Sequence, residues 1–380
     1  MAATPTVSLP THRINYLDSV RGLAALMVVF YHFIGWKWAE TLQFKLASMV
    51  FNGSDAVSLF FVLSGLVLSW KYFQPNEELV IDGPHYREFV VNRLVRLYVP
   101  YVAAILLIYY YMAHRHDDNT QLLTEFIHNK FNWFEEVLLI RGRHDLYNPG
   151  WTLEIELAAS LLLPFLVLLL RYNRQLFFML AILSLVLGPP LMLSFLWHFM
   201  LGMTLTYYFP RIARYDLRTH RFYHLRYVVY LAAFLLFSVR HITRIYPLGD
   251  SGNYWMGLLK LDLFHFTGLG AFIILAYIIN SPRLQRVLAT APLLFLGRIS
   301  YSVYLVHWFF VEWVMDKWDR YNAYFDRPKL AFLMLLAGTV VATLITATVF
   351  NILIERPAIR LGKRLSAHFM PARLVAVPIT

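Results

Sequence analysis

The chain has no cysteine in 380 residues, which removes disulfides, thiolate nucleophiles and thiolate metal ligands from consideration. It is also poor in charge. Only 15% of residues are charged, where a soluble domain carries roughly 25%. Carboxylates are the scarcer sign, with 23 Asp and Glu against 34 Lys and Arg, for a net charge of +11. Low-complexity linkers, internal repeats of a fixed short period and a second soluble domain are missing too. The low charge and the missing second domain argue against a soluble enzyme with a membrane tail.

Apolar surface is what the chain has instead. Hydrophobic residues make up 59% and aromatics 17%, and the mean hydropathy is +0.52. Apolar runs of spanning length, or nearly so, fall near 20–36, 55–73, 97–113, 151–170, 177–190, 191–209, 227–240, 256–280, 291–314 and 330–354. About 20 apolar residues cross a hydrocarbon core. The expectation is an all-α, polytopic transmembrane helix bundle of about ten helices. Gly188, Pro189 and Pro190 interrupt the fifth and sixth runs as a hairpin or a kink, and segment 131–141 is too short to span. With the N-terminus inside, twenty basic residues fall in inner segments and twelve in outer ones, leaving Lys260 and Arg298 within spans. Basic residues favour the cytoplasmic side, so both termini are expected there. The net positive charge is thereby explained without nucleic acid. The expected organisation is a membrane domain over 1–355 and a basic cytoplasmic tail over 356–380. The first run carries Arg21 and His32 and has no clear cleavage site after it, so it does not read as a signal peptide.

Ionisable residues inside such runs are costly and mark candidate sites. Arg21 and His32 are eleven residues apart, about 16 Å along a helix and within about 20° of one azimuth. Snorkelling explains the arginine alone, but not a histidine three turns deeper. Histidine titrates near neutrality and can take a proton from a hydroxyl. Arg93 and Arg96 share a helical face at the entrance of the third run. They read either as a positive-inside anchor or as a double guanidinium for a phosphate-bearing cosubstrate. In the stretch 55–65, Ser64 and Gly65 suit close helix packing; a Ser64 nucleophile would need a base that its local sequence does not supply. Glu154 and Glu156 lie about 200° apart on a helix, so both cannot face the interior. Ser300, Tyr304 and His307 form one polar stripe, and His307 reads as a satisfied internal histidine. Asp262 and His265 make an i, i+3 pair of open role. No close metal-ligand set appears, and no metal cofactor is expected.

Together these segments resemble the acyltransferase-3 family of integral membrane O-acyltransferases. Six blocks occur in order: Arg21 with His32; Leu-Phe-Phe-Val-Leu-Ser-Gly at 59–65; Arg93-x-x-Arg96; Trp-Thr-Leu-Glu-Ile-Glu at 151–156; the Leu-Gly-x-Ile-Ser-Tyr-Ser-x-Tyr-Leu-x-His block at 296–307; and Ile-Glu-Arg-Pro at 354–357. In the second block Ala56 and Ser58 stand where the family has glycine and aspartate, and Asp55 is placed to stand in for that carboxylate. The resemblance implies transfer of an acyl group, acetyl from acetyl-CoA above all, to a hydroxyl of an envelope carbohydrate or a small-molecule acceptor. It selects Glu156 over Glu154. The expected site has His32, Arg21 and Glu156 as catalytic residues, with Glu156 orienting His32 or binding the acceptor, and Arg93 and Arg96 binding the donor. Expected partners are membrane lipid, acyl-CoA and the acceptor, and the expected location is a bacterial cytoplasmic membrane. Some members carry a further hydrolase-like domain; here the expectation is a chain that acts alone or hands its acyl group to a partner. The rival reading is a transporter or flippase with a buried Arg/His/Glu pathway.

Overall fold

The computed structural model describes residues 14–38, 42–74, 81–115, 135–139, 147–186, 195–216, 223–246, 249, 263–322 and 328–369. The Gly188–Pro190 interruption, Asp262, Lys260, Arg13, Arg373 and most of segment 131–141 lie outside those residues. The described part is helical, without strands. Its main helices are α1 (Asn15–Trp38), α2 (Leu42–Val50), α3 (Gly53–Ser69), α4 (Gly83–Arg115), α5 (Gly150–Tyr172), α6 (Arg174–Val186) and α7 (Leu196–Arg214). They continue with α8 (Arg226–Phe237), α9 (Val239–Ile245), α10 (Leu263–Asn280), α11 (Pro282–Leu288), α12 (Ala291–Asn322), α13 (Pro328–Phe350) and α14 (Arg356–Ala367). Among the described residues, seven segments are long and apolar enough to cross a membrane: α1, α2 with α3, α4, α5, α10, α12, and α13 with α14. The three remaining expected spans correspond to α6, α7 and α8. Of these, α6 and α8 are apolar but shorter.

Local sequence sets the helix ends. Asn52 caps α3 by accepting from the Asp55 backbone N–H at 3.1 Å, and Ser281 followed by Pro282 opens α11, as capping chemistry favours. Within the bundle, glycines allow the closest helix crossings. A side chain at Gly22 of α1 would come within 2.7 Å of the Gly297 backbone nitrogen of α12, and one at Gly297 within 2.5 Å of the Asp18 backbone. Ten residues further along both helices, the rings of His32 and His307 meet with centroids 5.5 Å apart. Equal spacing at both contacts makes α1 and α12 a parallel pair. A second crossing joins α3 to α7, where Gly65 lies under the Phe199 backbone and Gly202 under that of Val62. Ala24, Ala25, Val28, Val303 and Val306 fill the adjoining core and are buried.

The segment after 350 is not a loose tail over its described part. A π-helical turn, Asn351–Glu355, leads into α14. Ala358, Gly362 and Ser366 form the buried face of α14, and the Asn92 amide of α4 donates to Ser366 Oγ at 2.9 Å.

Candidate active site

Arginines from two helices converge at the end of the bundle where α1 and α4 begin. Arg21 of α1 and Arg93 and Arg96 of α4 line a basin of about 550 Å³, whose rim includes Asp18, Lys71 and Asn92. The same three arginines also line a small inner cavity of about 50 Å³, closed on its far side by Thr152, Glu156 and Tyr304. Ser64 lines both spaces as well. The i, i+3 spacing of Arg93 and Arg96 therefore serves one cavity, as their shared face requires.

Glu156 of α5 is the counter-ion. Its Oε1 accepts from Arg93 Nη2 at 2.5 Å, with 7% of the arginine side chain and 20% of the glutamate side chain exposed. Ser64 Oγ donates to the same oxygen at 3.2 Å. The base that Ser64's local sequence does not supply thus arrives from a helix 92 residues away. The lining of the small cavity holds three guanidiniums and one carboxylate and is net positive, which suits an anion with several charged oxygens.

One turn beyond Glu156, the lining becomes neutral and hydrogen-bonded. Tyr304 Oη and Thr152 Oγ1 are 2.6 Å apart, and Tyr304 Oη also donates to the Pro149 carbonyl at 3.2 Å. Tyr147 donates to the Tyr304 carbonyl at 3.0 Å. Tyr147 lies outside the spanning segments, and burial pushes its hydroxyl well above the ordinary range, so it remains a donor. Tyr301 ties α12 to α4 by donating to the Leu97 carbonyl at 2.7 Å.

His307 stands further along the same stripe of α12. His307 Nδ1 is 2.6 Å from the Tyr304 carbonyl. A carbonyl only accepts, so the proton sits on Nδ1 and Nε2 carries the lone pair. That Nε2 is buried with no hydrogen-bond partner, so His307 is half satisfied. Its ring lies beside His32, and His32 meets Trp308 edge-on at 5.2 Å.

Four of the expected site residues, Arg21, Arg93, Arg96 and Glu156, therefore meet at one cavity. His32 is set apart from them, against His307 and Trp308, at the far end of the Arg21–His32 stripe. Glu156 engages Arg93 and Ser64, whereas the ring beside His32 is that of His307. Asp55 is fully buried near the opposite end of α3, 2.9 Å from Arg240 Nη1 and 3.3 Å from His241 Nε2. Ser58, at the family's aspartate position, bonds Thr267 at 2.7 Å. The His265 carbonyl accepts from Trp197 at 3.3 Å. The Glu355 network was missed from sequence: its Oε2 accepts from Ser302 Oγ at 2.6 Å and Asn351 Nδ2 at 2.7 Å. A carboxylate directly at the end of an apolar run, in the Ile-Glu-Arg-Pro block, is the available signal.

Among the described residues no group of three or more His, Asp or Glu side chains is placed to hold a metal ion. A family model for the acyltransferase-3 family, described as an acyltransferase domain, matches residues 14–351, nearly the whole chain. No curated protein and no solved structure matches.

Proposed function

The chain belongs to the acyltransferase-3 family and is a membrane acyltransferase, and from that premise we propose that it moves an acetyl or other acyl group from acyl-CoA to a hydroxyl of an envelope carbohydrate or other acceptor. The observation that carries this reading is the arginine basin. Arg21, Arg93 and Arg96 bind the donor's phosphates, and Glu156 holds Arg93 in place. The pantetheine arm then runs past Ser64 and Tyr304 toward the histidines. Arg21 and His32 are about 16 Å apart on one helix, a separation of the order an extended pantetheine arm covers.

At the histidine end His32 is the general base, with His307 oriented by the Tyr304 carbonyl beside it. His32 takes the proton of the acceptor hydroxyl as its oxygen attacks the thioester carbonyl. The carbon–sulfur bond breaks, and the coenzyme leaves as a thiolate that recovers a proton. Both ends fit differential binding: the donor is held by its phosphates, far from the reacting carbon. The basin faces the cytoplasm, where acyl-CoA is found, and the acceptor enters from the other side of a bacterial cytoplasmic membrane. Family membership disfavours the transporter reading.

Purified protein in nanodiscs, given radiolabelled acetyl-CoA and a lysate of envelope glycans, tests the proposal. Label is expected in glycan with the wild type and not with His32→Ala. Full transfer by His32→Ala would remove His32 from the chemistry, and neither transfer nor release of free CoA by the wild type would remove the donor assignment.

A further inference from the structure

A second cavity, of about 730 Å³, lies between α7, α8 and α10 and shares no lining residue with the arginine basin. It opens at the same end of the bundle. Phe209 of α7 packs on Trp70 of the basin rim with ring centroids 4.8 Å apart, and the Asn280 amide at the end of α10 donates to the Ile212 and Tyr215 carbonyls at the end of α7.

The cavity has two chemically distinct parts. Ile212, Val229, Phe272, Ile273 and Ala276 make an apolar trough. Arg211, in the last turn of α7, and Arg226, in the first turn of α8, stand at its membrane-face end. Arg226 is held in place before any ligand arrives. Its guanidinium lies 3.5 Å from the Tyr223 ring centroid and 4.1 Å from that of Tyr227. It donates to the Tyr223 carbonyl at 2.9 Å and to Tyr227 Oη at 2.6 Å. A guanidinium has five N–H donors, so these two contacts leave donors for an anion. Arg211 stacks on Tyr208, 5.7 Å from the ring centroid.

Two cations at the mouth of an apolar trough match an amphiphile with an anionic head and a hydrocarbon tail. In a chain that crosses a membrane, basic pockets between helices at one face bind anionic lipid headgroups. We propose that this cavity is a site for one anionic phospholipid, its phosphate between Arg211 and Arg226 and one acyl chain along Val229, Phe272 and Ala276. The two guanidiniums select the head by charge, and the trough keeps the lipid from exchanging as freely as bulk lipid does. The site is independent of the acyl-transfer reading.

Native mass spectrometry of the purified full chain tests it, with equal amounts of phosphatidylglycerol and phosphatidylcholine in the micelle. The wild type is expected to retain one phosphatidylglycerol in preference to phosphatidylcholine. Arg211→Gln with Arg226→Gln should weaken that retention about thirty-fold, equivalent to about 2 kcal/mol. Ala276→Phe, which keeps both arginines and fills the trough, should also weaken it, and a thermal-unfolding profile shows that each variant is folded. Equal retention of both lipids by the wild type would overturn the proposal. So would unchanged retention in the double arginine variant, or a co-purified polyprenyl-linked molecule in place of phospholipid.

Discussion

Replacing Glu156 should have opposite effects on the empty protein and on its donor affinity. Glu156 and Arg93 form a close ion pair, 2.5 Å apart, on which two further arginines converge. At an effective dielectric of about 20, unit charges about 4 Å apart attract by about 4 kcal/mol. Removing one partner of a buried pair typically costs about 3–5 kcal/mol, because the other charge is left uncompensated. The glutamate is 20% exposed, which puts Glu156→Gln near the lower end, about 3 kcal/mol. The same carboxylate repels an incoming phosphate and competes with it for Arg93. CoA should therefore bind Glu156→Gln more tightly than wild type, about five-fold for a gain near 1 kcal/mol, and saturating CoA should return part of the lost stability. Thermal unfolding in detergent across Glu156→Gln, Arg93→Gln and the double variant measures the coupling, and calorimetric titration with CoA measures the affinity. Losses that add within about 0.5 kcal/mol would refute the pair as an energetic unit. CoA binding weakened as much as in Arg93→Gln would refute the competition.

Gly22→Leu forces apart the α1–α12 crossing, where the obstructing atoms are Gly297 backbone; a loss of at least 1–3 kcal/mol should appear as a lower unfolding temperature, and an unchanged one would contradict this geometry. Asp55→Ala strands Arg240 and His241 and should cost about 3 kcal/mol in the same assay. Transfer per folded molecule should stay near wild type in that variant, and its loss would move Asp55 into the site. Tyr304→Phe removes the bonds to Thr152 and the Pro149 carbonyl, at about 1 kcal/mol of stability. It should lower the transfer rate more than it changes CoA affinity, and the reverse pattern in steady-state kinetics would take Tyr304 out of the path to the histidines.

The parts of this molecule that were legible in sequence are those carried by one helix. Apolar length gave the seven long segments, and 3.6-residue periodicity put Arg93 beside Arg96 on one face and aligned Ser300, Tyr304 and His307. What could not be read is what one helix meets on another. Ser64 and Glu156 are 92 residues apart, and Asp55 lies 185 residues from Arg240. Nothing local to Ser64 announces its carboxylate, and a buried aspartate has the same sequence signature whether it performs catalysis or pins α3 to α9. Two residues of helix separated Glu154 from Glu156 by azimuth, but only the position of α4 puts the Arg93 guanidinium against Glu156. The shorter α8, which ends at Phe237 inside an apolar run, shows the limit of the length rule, since apolar runs mark lipid-compatible surface and not where a helix ends. The amphipathic α14 was hidden for a related reason: its basic residues read as a tail, while the small residues Ala358, Gly362 and Ser366 that seat it carry little signal.

The measurement that bears most directly on the central claim compares CoA binding and acetyl transfer in two folded variants, Arg93→Gln with Arg96→Gln and His32→Ala. The arginine variant is expected to lose CoA affinity by at least ten-fold. His32→Ala should bind CoA as the wild type does and transfer no acetyl group. Loss of CoA binding in His32→Ala, or undiminished binding in the arginine variant, would contradict the division of the molecule into a phosphate-binding end and a proton-accepting end.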